Sequence, residues 1–147
     1  MCLSIQRQCS CSADVASLFH TNSVLPEEVV VAVHCPSCSD AVDFDQATML
    51  RDNGWIIEYD LELAAQHLRR FGIDPQTLTP ERIFDEGYST WKGLTPTDAY
   101  QKSMELHALW AEAEGDRRKY FEDMKKWTIE RTQRLAEAGW RKAQAAL

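Results

Sequence analysis

Val29-Val30-Val31-Ala32-Val33-His34-Cys35-Pro36-Ser37-Cys38 is the stretch on which the reading of this chain turns. A β-branched run, which favours extended backbone, leads straight into two cysteines separated by a proline and a serine. Two residues between cysteines put both sulfurs on one tight turn, and Pro36 helps set that turn. Upstream, Cys9-Ser10-Cys11 offers a second close pair. Two turns that each supply two thiolates are what a tetrahedral metal site requires. The chain has 5 cysteines in 147 residues. The fifth, Cys2, reads as a terminal free thiol, its sharper alternatives being a replacement ligand or a redox handle.

The sequence around these pairs is of β type. Leu3 to Gln8 alternates apolar and polar residues, Val15 to His20 reads as a second strand and Val29 to His34 as a third. Trp55-Ile56-Ile57-Glu58-Tyr59 makes a fourth, entered through the turn signal Asp52-Asn53-Gly54. Asp43 to Arg51 is ambiguous, with room for one helical turn. Four thiolates closing a tetrahedron leave no position for water or substrate, so Cys9, Cys11, Cys35 and Cys38 read as a structural site for one Zn2+ per chain.

Residues 1–60 resemble the zinc-ribbon class. Cys35-Pro36-Ser37-Cys38 has the Cys-Pro-x-Cys form of a ribbon knuckle, and Trp55 to Tyr59 falls where ribbons return to cover the metal. Cys9-Ser10-Cys11 is one residue shorter than the common first knuckle, and Ser12 and Ser39 stand where glycine often follows. The resemblance implies a small metal-stapled β domain and says nothing of the rest of the chain.

Two other uses of the same cysteines compete with zinc. Iron held by four thiolates, as in rubredoxin-type electron carriers, needs the identical ligand set. Thiol redox chemistry of the thioredoxin type also places Cys-x-x-Cys after a strand. It then needs a helix beginning at the first cysteine. Ser39-Asp40-Ala41-Val42-Asp43-Phe44-Asp45 instead alternates and reads as strand, and that chemistry leaves Cys9 and Cys11 unexplained. His34 neighbours Cys35 as a competing ligand, but at a strand end it more readily packs or hydrogen-bonds.

After Asp60 the hydrophobic period becomes helical. Asp60 is a natural N-cap for a helix from Leu61 that stops at Gly72. Thr79-Pro80 and Thr95-Pro96 repeat one start signal, a capping threonine followed by proline in the first turn. The first opens a short helix to Glu86, stopped by Gly87. The second opens a helical arm to the C-terminus, either one rod or, as its apolar stripes favour, a hairpin turning at Gly115-Asp116. The chain is therefore expected to be α+β, with a zinc-ribbon domain at 1–60, a short-helix bridge at 61–93 and a helical arm at 94–147.

Charge separates these parts. Residues 1–60 carry two bases against nine acids, which accounts for the whole net charge of −7. Such a surface repels a phosphate backbone, so no nucleic acid is expected on the ribbon. On the arm, Tyr120, Phe121, Met124, Trp127 and Leu135 lie at helical spacing and are the candidate partner-binding residues, for a protein partner or a homo-oligomer. Gly-x-Ser-x-Gly, His-Glu-x-x-His and glycine-rich phosphate loops are all absent from the sequence. The expectation is a non-catalytic accessory subunit or adaptor. No apolar run approaches the roughly 20 residues of a membrane helix. An odd cysteine count and an N-terminus without a signal-like apolar core point to a reducing cytoplasm.

Overall fold

The computed structural model describes residues 2–9, 11, 14–94, 96 and 98–146. The chain divides into two compact units, 1–92 and 93–147. It is α+β, with antiparallel strands early and helices dominating later.

The first unit holds two three-stranded antiparallel sheets. In one, β1 (Leu3–Gln8) pairs along its whole length with β2 (Val15–His20), from Leu3 opposite His20 to Gln8 opposite Val15. Along β2 the period of two sends Ala16, Leu18 and His20 inward, all fully buried. In the other sheet, β5 (Trp55–Tyr59) runs between β3 (Val30–His34) and β4 (Met49–Asp52). As the central strand it buries every residue except the half-exposed Glu58. The turn joining β4 to β5 has positive φ at Asn53 (46°) and Gly54 (91°). That is the pattern of a two-residue hairpin whose backbone twist matches its strands.

Residues 61–92 belong to this same unit. Helix α1 (Leu61–Arg69) is capped by Asp60, whose carboxylate accepts the Leu63 N–H at 3.0 Å. Helix α2 (Pro80–Asp85) is capped by Thr79, whose hydroxyl accepts the Arg82 N–H at 3.1 Å. Both caps are those read from the sequence. The chain then returns as β6 (Thr90–Trp91) and pairs with β2. Trp91 is completely buried, edge-on to Trp55 and Phe84 with ring centroids 5.9 Å away in each case.

Buried polar groups tie this return segment to both sheets. The Trp91 indole N–H donates to Asp52 at 2.8 Å, and the Tyr59 hydroxyl donates to the Ser89 carbonyl at 2.7 Å. His20 Nδ1 lies 3.0 Å from the Leu25 carbonyl and Nε2 lies 2.9 Å from the Ser89 hydroxyl. A carbonyl only accepts, so Nδ1 carries the proton and neutral Nε2 accepts from Ser89.

Two local expectations differ from the structure, and one ambiguous stretch is resolved. Ser39 to Asp45 is not a strand: the Cys38 and Ser39 N–H groups both bond to the Cys35 carbonyl, at 3.1 and 2.9 Å, and Ser39–Ala41 continues as one 3-10 turn in which the Ala41 N–H bonds to the Cys38 carbonyl and the Val42 N–H to the Ser39 carbonyl, each at 3.1 Å. The ambiguous stretch 43–51 is split. Asp45 makes a turn by accepting the Ala47 N–H at 2.9 Å on its side chain and the Met49 N–H at 2.8 Å on its carbonyl. Its second half is β4, and Val29 closes a 3-10 turn (Glu27–Val29) ahead of β3.

The second unit is a helical hairpin. Helix α3 (Asp98–Ala113) and α4 (Arg117–Glu137) are antiparallel, and the short α5 (Arg141–Ala145) follows. The chain reverses through Glu114 (φ 49°) and Gly115 (φ 86°), and the Asp116 side chain then accepts the Arg118 and Lys119 N–H groups at 3.1 and 3.3 Å. The expected Thr95 cap lies outside the described residues. Trp110 and Tyr120 meet edge-to-face at 5.2 Å beside the turn. At the open end, buried Arg131 of α4 pairs with Asp98 of α3, and Glu105 bridges Arg131 (3.5 Å) and Arg134 (2.9 Å). Gly93 admits this arrangement, since a Cβ there would lie 2.5 Å from the Asp98 carboxylate.

Two outcomes follow from these buried groups. Burial chiefly holds the His20 pKa below its ordinary value, with Arg7 acting the same way and the Leu25 carbonyl and Glu27 opposing. The folded chain therefore takes up this proton less readily than the unfolded one. The stability tied to neutral His20 is whole above pH ~6.5 and is lost as pH falls below it. Denaturant titrations across that range should show this loss in the wild type and a shallower slope in His20→Gln. Separately, Asp98→Ala leaves the buried Arg131 charge short of a partner and should cost about 3 kcal/mol in chemical denaturation of the helical signal.

Candidate metal centre

Each cysteine pair is delivered by backbone geometry. Cys9 and Cys11 lie beyond the end of β1, where the β1–β2 ribbon reverses, and the Cys9 N–H donates to the Asp14 carbonyl at 2.9 Å across that reversal. Cys35 and Cys38 follow β3 directly, held by the turn in which the Cys35 carbonyl accepts from Cys38 and Ser39. The Ser39 hydroxyl donates to the Pro36 carbonyl at 3.3 Å and closes the same turn. The Gly54 turn packs on this knuckle, since a Cβ at Gly54 would lie 3.3 Å from the Pro36 ring. The turn signal at Asn53-Gly54 was legible in the sequence, whereas its contact with Pro36 was not.

The four sulfurs converge. Sγ of Cys9 is 2.9 Å from that of Cys38 and 3.5 Å from that of Cys11; Cys35 lies 3.5 Å from Cys11 and 3.6 Å from Cys38. All four atoms lie within 4.8 Å of one another. A tetrahedron with metal–sulfur bonds of about 2.3 Å has sulfur–sulfur edges of about 3.8 Å. Three of these separations come within about 0.3 Å of that edge, while Cys9 and Cys38 would move apart by about 0.9 Å to fit it. None of the sulfurs is bonded to another: the shortest separation, 2.9 Å, far exceeds a disulfide bond of about 2.05 Å.

Electrostatics within the cluster favour thiolate at one corner. Cys9 is 2 % exposed, and that burial by itself pushes its pKa up. Hydrogen bonds from the Cys38 thiol, the Cys11 and Cys35 backbone N–H groups and the Cys11 thiol outweigh it, bringing Cys9 down to about 6. The Cys35 N–H to Cys9 Sγ distance is 3.1 Å. A backbone donor aimed at a sulfur stabilises its thiolate form. Cys35 is fully buried and Cys38 half-buried, while Cys11 faces solvent. The arrangement can hold a metal ion, and the four-thiolate donor set suits zinc or iron.

Among the described residues, this is the one grouping of metal-ligating side chains, and neither His34 nor the exposed Cys2 belongs to it. Cys35 heads a turn and a single 3-10 turn, so no α-helix N-terminus is placed to activate it.

The candidate partner-binding residues lie on α4. Tyr120 is half-buried against Trp110, Trp127 is half-buried with the Arg131 guanidinium 5.7 Å from its ring centre, and Met124 and Leu135 are half-buried. Phe121 is 53 % exposed. The largest exposed apolar side chains of α3 are Tyr100, Met104 and Trp110. The broad apolar face of α3 was visible in the sequence, but which side α4 would cover was not.

No helix of the described chain is long and apolar enough to cross a membrane. Comparisons with family models, with curated proteins and with solved structures find no match to this chain.

The cluster generates two measurable outcomes. In reduced, metal-free protein, ultraviolet thiolate absorbance should show a step near pH 6 that Cys9→Ser removes. Gly54→Ala places a Cβ at φ 91° and against Pro36, and should destabilise the first unit by about 1–2 kcal/mol. A wild-type melting profile for Gly54→Ala would mean that the turn and the knuckle are independent.

Proposed function

We propose that residues 1–60 form a zinc ribbon in which Cys9, Cys11, Cys35 and Cys38 hold one structural Zn2+. On this reading the protein is non-catalytic and acts through protein–protein interaction, as an accessory subunit or adaptor in a reducing compartment such as the cytoplasm. The observation that carries the reading is the convergence of four sulfurs, from two separate backbone turns, to within 4.8 Å. Four thiolates at such distances repel one another unless a cation lies among them, and binding one converts that repulsion into folding free energy. With every tetrahedral position taken by sulfur, the ion has no coordination site for water or substrate, and its role is to staple the β1–β2 ribbon to the end of β3.

Two further features support an interaction role. The first sixty residues carry two bases and nine acids, which disfavours nucleic acid on that surface. The helical hairpin leaves large apolar side chains exposed, namely Tyr100, Met104 and Phe121, and such side chains are enriched where proteins meet.

Elemental analysis of the purified chain should return one zinc per molecule. Cys35→Ser should lose the metal and unfold the first unit while leaving most helical circular dichroism intact. A red, absorbing protein would point to iron at the same four sulfurs. Absence of stoichiometric metal, or five freely reactive cysteines in the native state, would refute the zinc reading.

A further inference from the structure

We propose that the four-cysteine cluster is a redox-operated staple, in which a hydroperoxide displaces the metal by joining the same two turns through disulfides, Cys9 to Cys38 and Cys11 to Cys35. The proposal rests on the metal reading above and adds how that site is regulated.

The first argument is access. Cys11 faces solvent and Cys38 is half-buried, whereas Cys9 is 2 % and Cys35 0 % exposed. Each turn thus offers one sulfur that an oxidant reaches and one that it does not. Oxidation of sulfur follows thiolate character and exposure, and sulfurs that hold a metal are thiolates. Cys11 is therefore the corner attacked first. A small neutral hydroperoxide suits it, because nine acids against two bases in residues 1–60 repel an anionic disulfide oxidant.

The second argument is proximity, which selects the pairing. The pairs that cross between the turns, Cys9–Cys38 and Cys11–Cys35, are 2.9 and 3.5 Å apart. The pairs within a turn, Cys9–Cys11 and Cys35–Cys38, are 3.5 and 3.6 Å apart. Closing Cys9 on Cys38 to a bond of about 2.05 Å asks for the smallest movement. It is also the pair that a tetrahedral ion, with sulfur–sulfur edges of about 3.8 Å, holds furthest from its own position.

The step balances. The Cys11 thiolate attacks the peroxide: an S–O bond forms, the O–O bond breaks, hydroxide or alkoxide leaves and the sulfur is oxidised by two electrons. The buried Cys9 or Cys35 sulfur, each 3.5 Å away, then attacks the sulfenic sulfur, forming S–S and expelling hydroxide. A Cys9–Cys11 bond is short-lived, since Cys38 attacks Cys9 from 2.9 Å and Cys11 leaves as thiolate. A second peroxide oxidises the remaining pair in the same way. The four sulfurs, no longer thiolates, release the ion, while the end of the β1–β2 ribbon stays fastened to the end of β3. Disulfides within each turn would instead part the two turns.

Zinc in the purified, reduced full chain is measured first, and hydrogen peroxide is then added in steps. Two equivalents per chain should release one zinc to a colorimetric chelator and consume four thiols. A protease that cuts at acids, of which Asp14, Glu27 and Glu28 lie between the turns, should then yield the two cysteine peptides linked to each other. The near-ultraviolet circular dichroism of the buried Trp55 and Trp91 should survive this oxidation, yet be lost when a chelator strips metal from the reduced chain. Cys2→Ser should behave as the wild type, and a dithiol with added zinc should reverse the change. Unlinked peptides with internal disulfides, sulfinic acids in place of disulfides, loss of the tryptophan signal on oxidation, or zinc retained under about tenfold excess peroxide each overturn the proposal and leave the metal reading standing. Absence of zinc before peroxide is added overturns both.

Discussion

Four sulfurs drawn to one point from two turns are the constraint around which the first unit is organised. The strands alone do not require it. β1–β2 is a ribbon with a single neighbour, β6, and β3–β5–β4 is a separate small sheet. The knuckles stand at the ends of these two ribbons, so joining the sulfurs joins the sheets. The Cys35 N–H directed at Cys9 and the Gly54 turn against Pro36 show that the backbone around the cluster is shaped to that junction.

A second junction lies in the return segment 89–91, and it is made of protein alone. Ser89 receives the Tyr59 hydroxyl from one sheet and reaches His20 in the other, while Trp91 fills the core and spends its N–H on Asp52. Every one of these groups is buried, and each is costly without its partner. The unit is thus pinned by sulfur at one place and by a satisfied polar network at another. The segment 61–92 supplies the second pin, so it is integral to the unit that carries the cysteines.

The helical unit contrasts with this. Its most buried charge, Arg131, is paired with Asp98 and Glu105, while Tyr100, Met104, Trp110, Phe121 and Ile129 stay exposed. Buried ion pairs specify how two helices align more than they stabilise them. Alignment is therefore settled within the hairpin, whose Leu106, Leu109, Tyr120, Met124, Trp127 and Leu135 are half-buried.

Much of this was legible from residue order, because the signals are local. Asp60, Thr79 and Asp116 are helix caps whose side chains reach only two or three residues ahead, and Asn53-Gly54 is a turn whose positive φ values are a property of those residues. The cysteine spacings announced two sulfur-bearing turns on the same ground. What depended on distant partners was not legible. β4 and β6 are short and exist because β5 and β2 offer open edges. The approach of Cys9 to Cys38, the seat of Trp91 on Asp52 and the choice of which face of α3 meets α4 are long-range events. Sequence determined the pieces, since capping, turn and strand preferences act over a few residues; tertiary structure alone decided which pieces meet, since burial and sulfur–sulfur proximity are properties of the assembled chain.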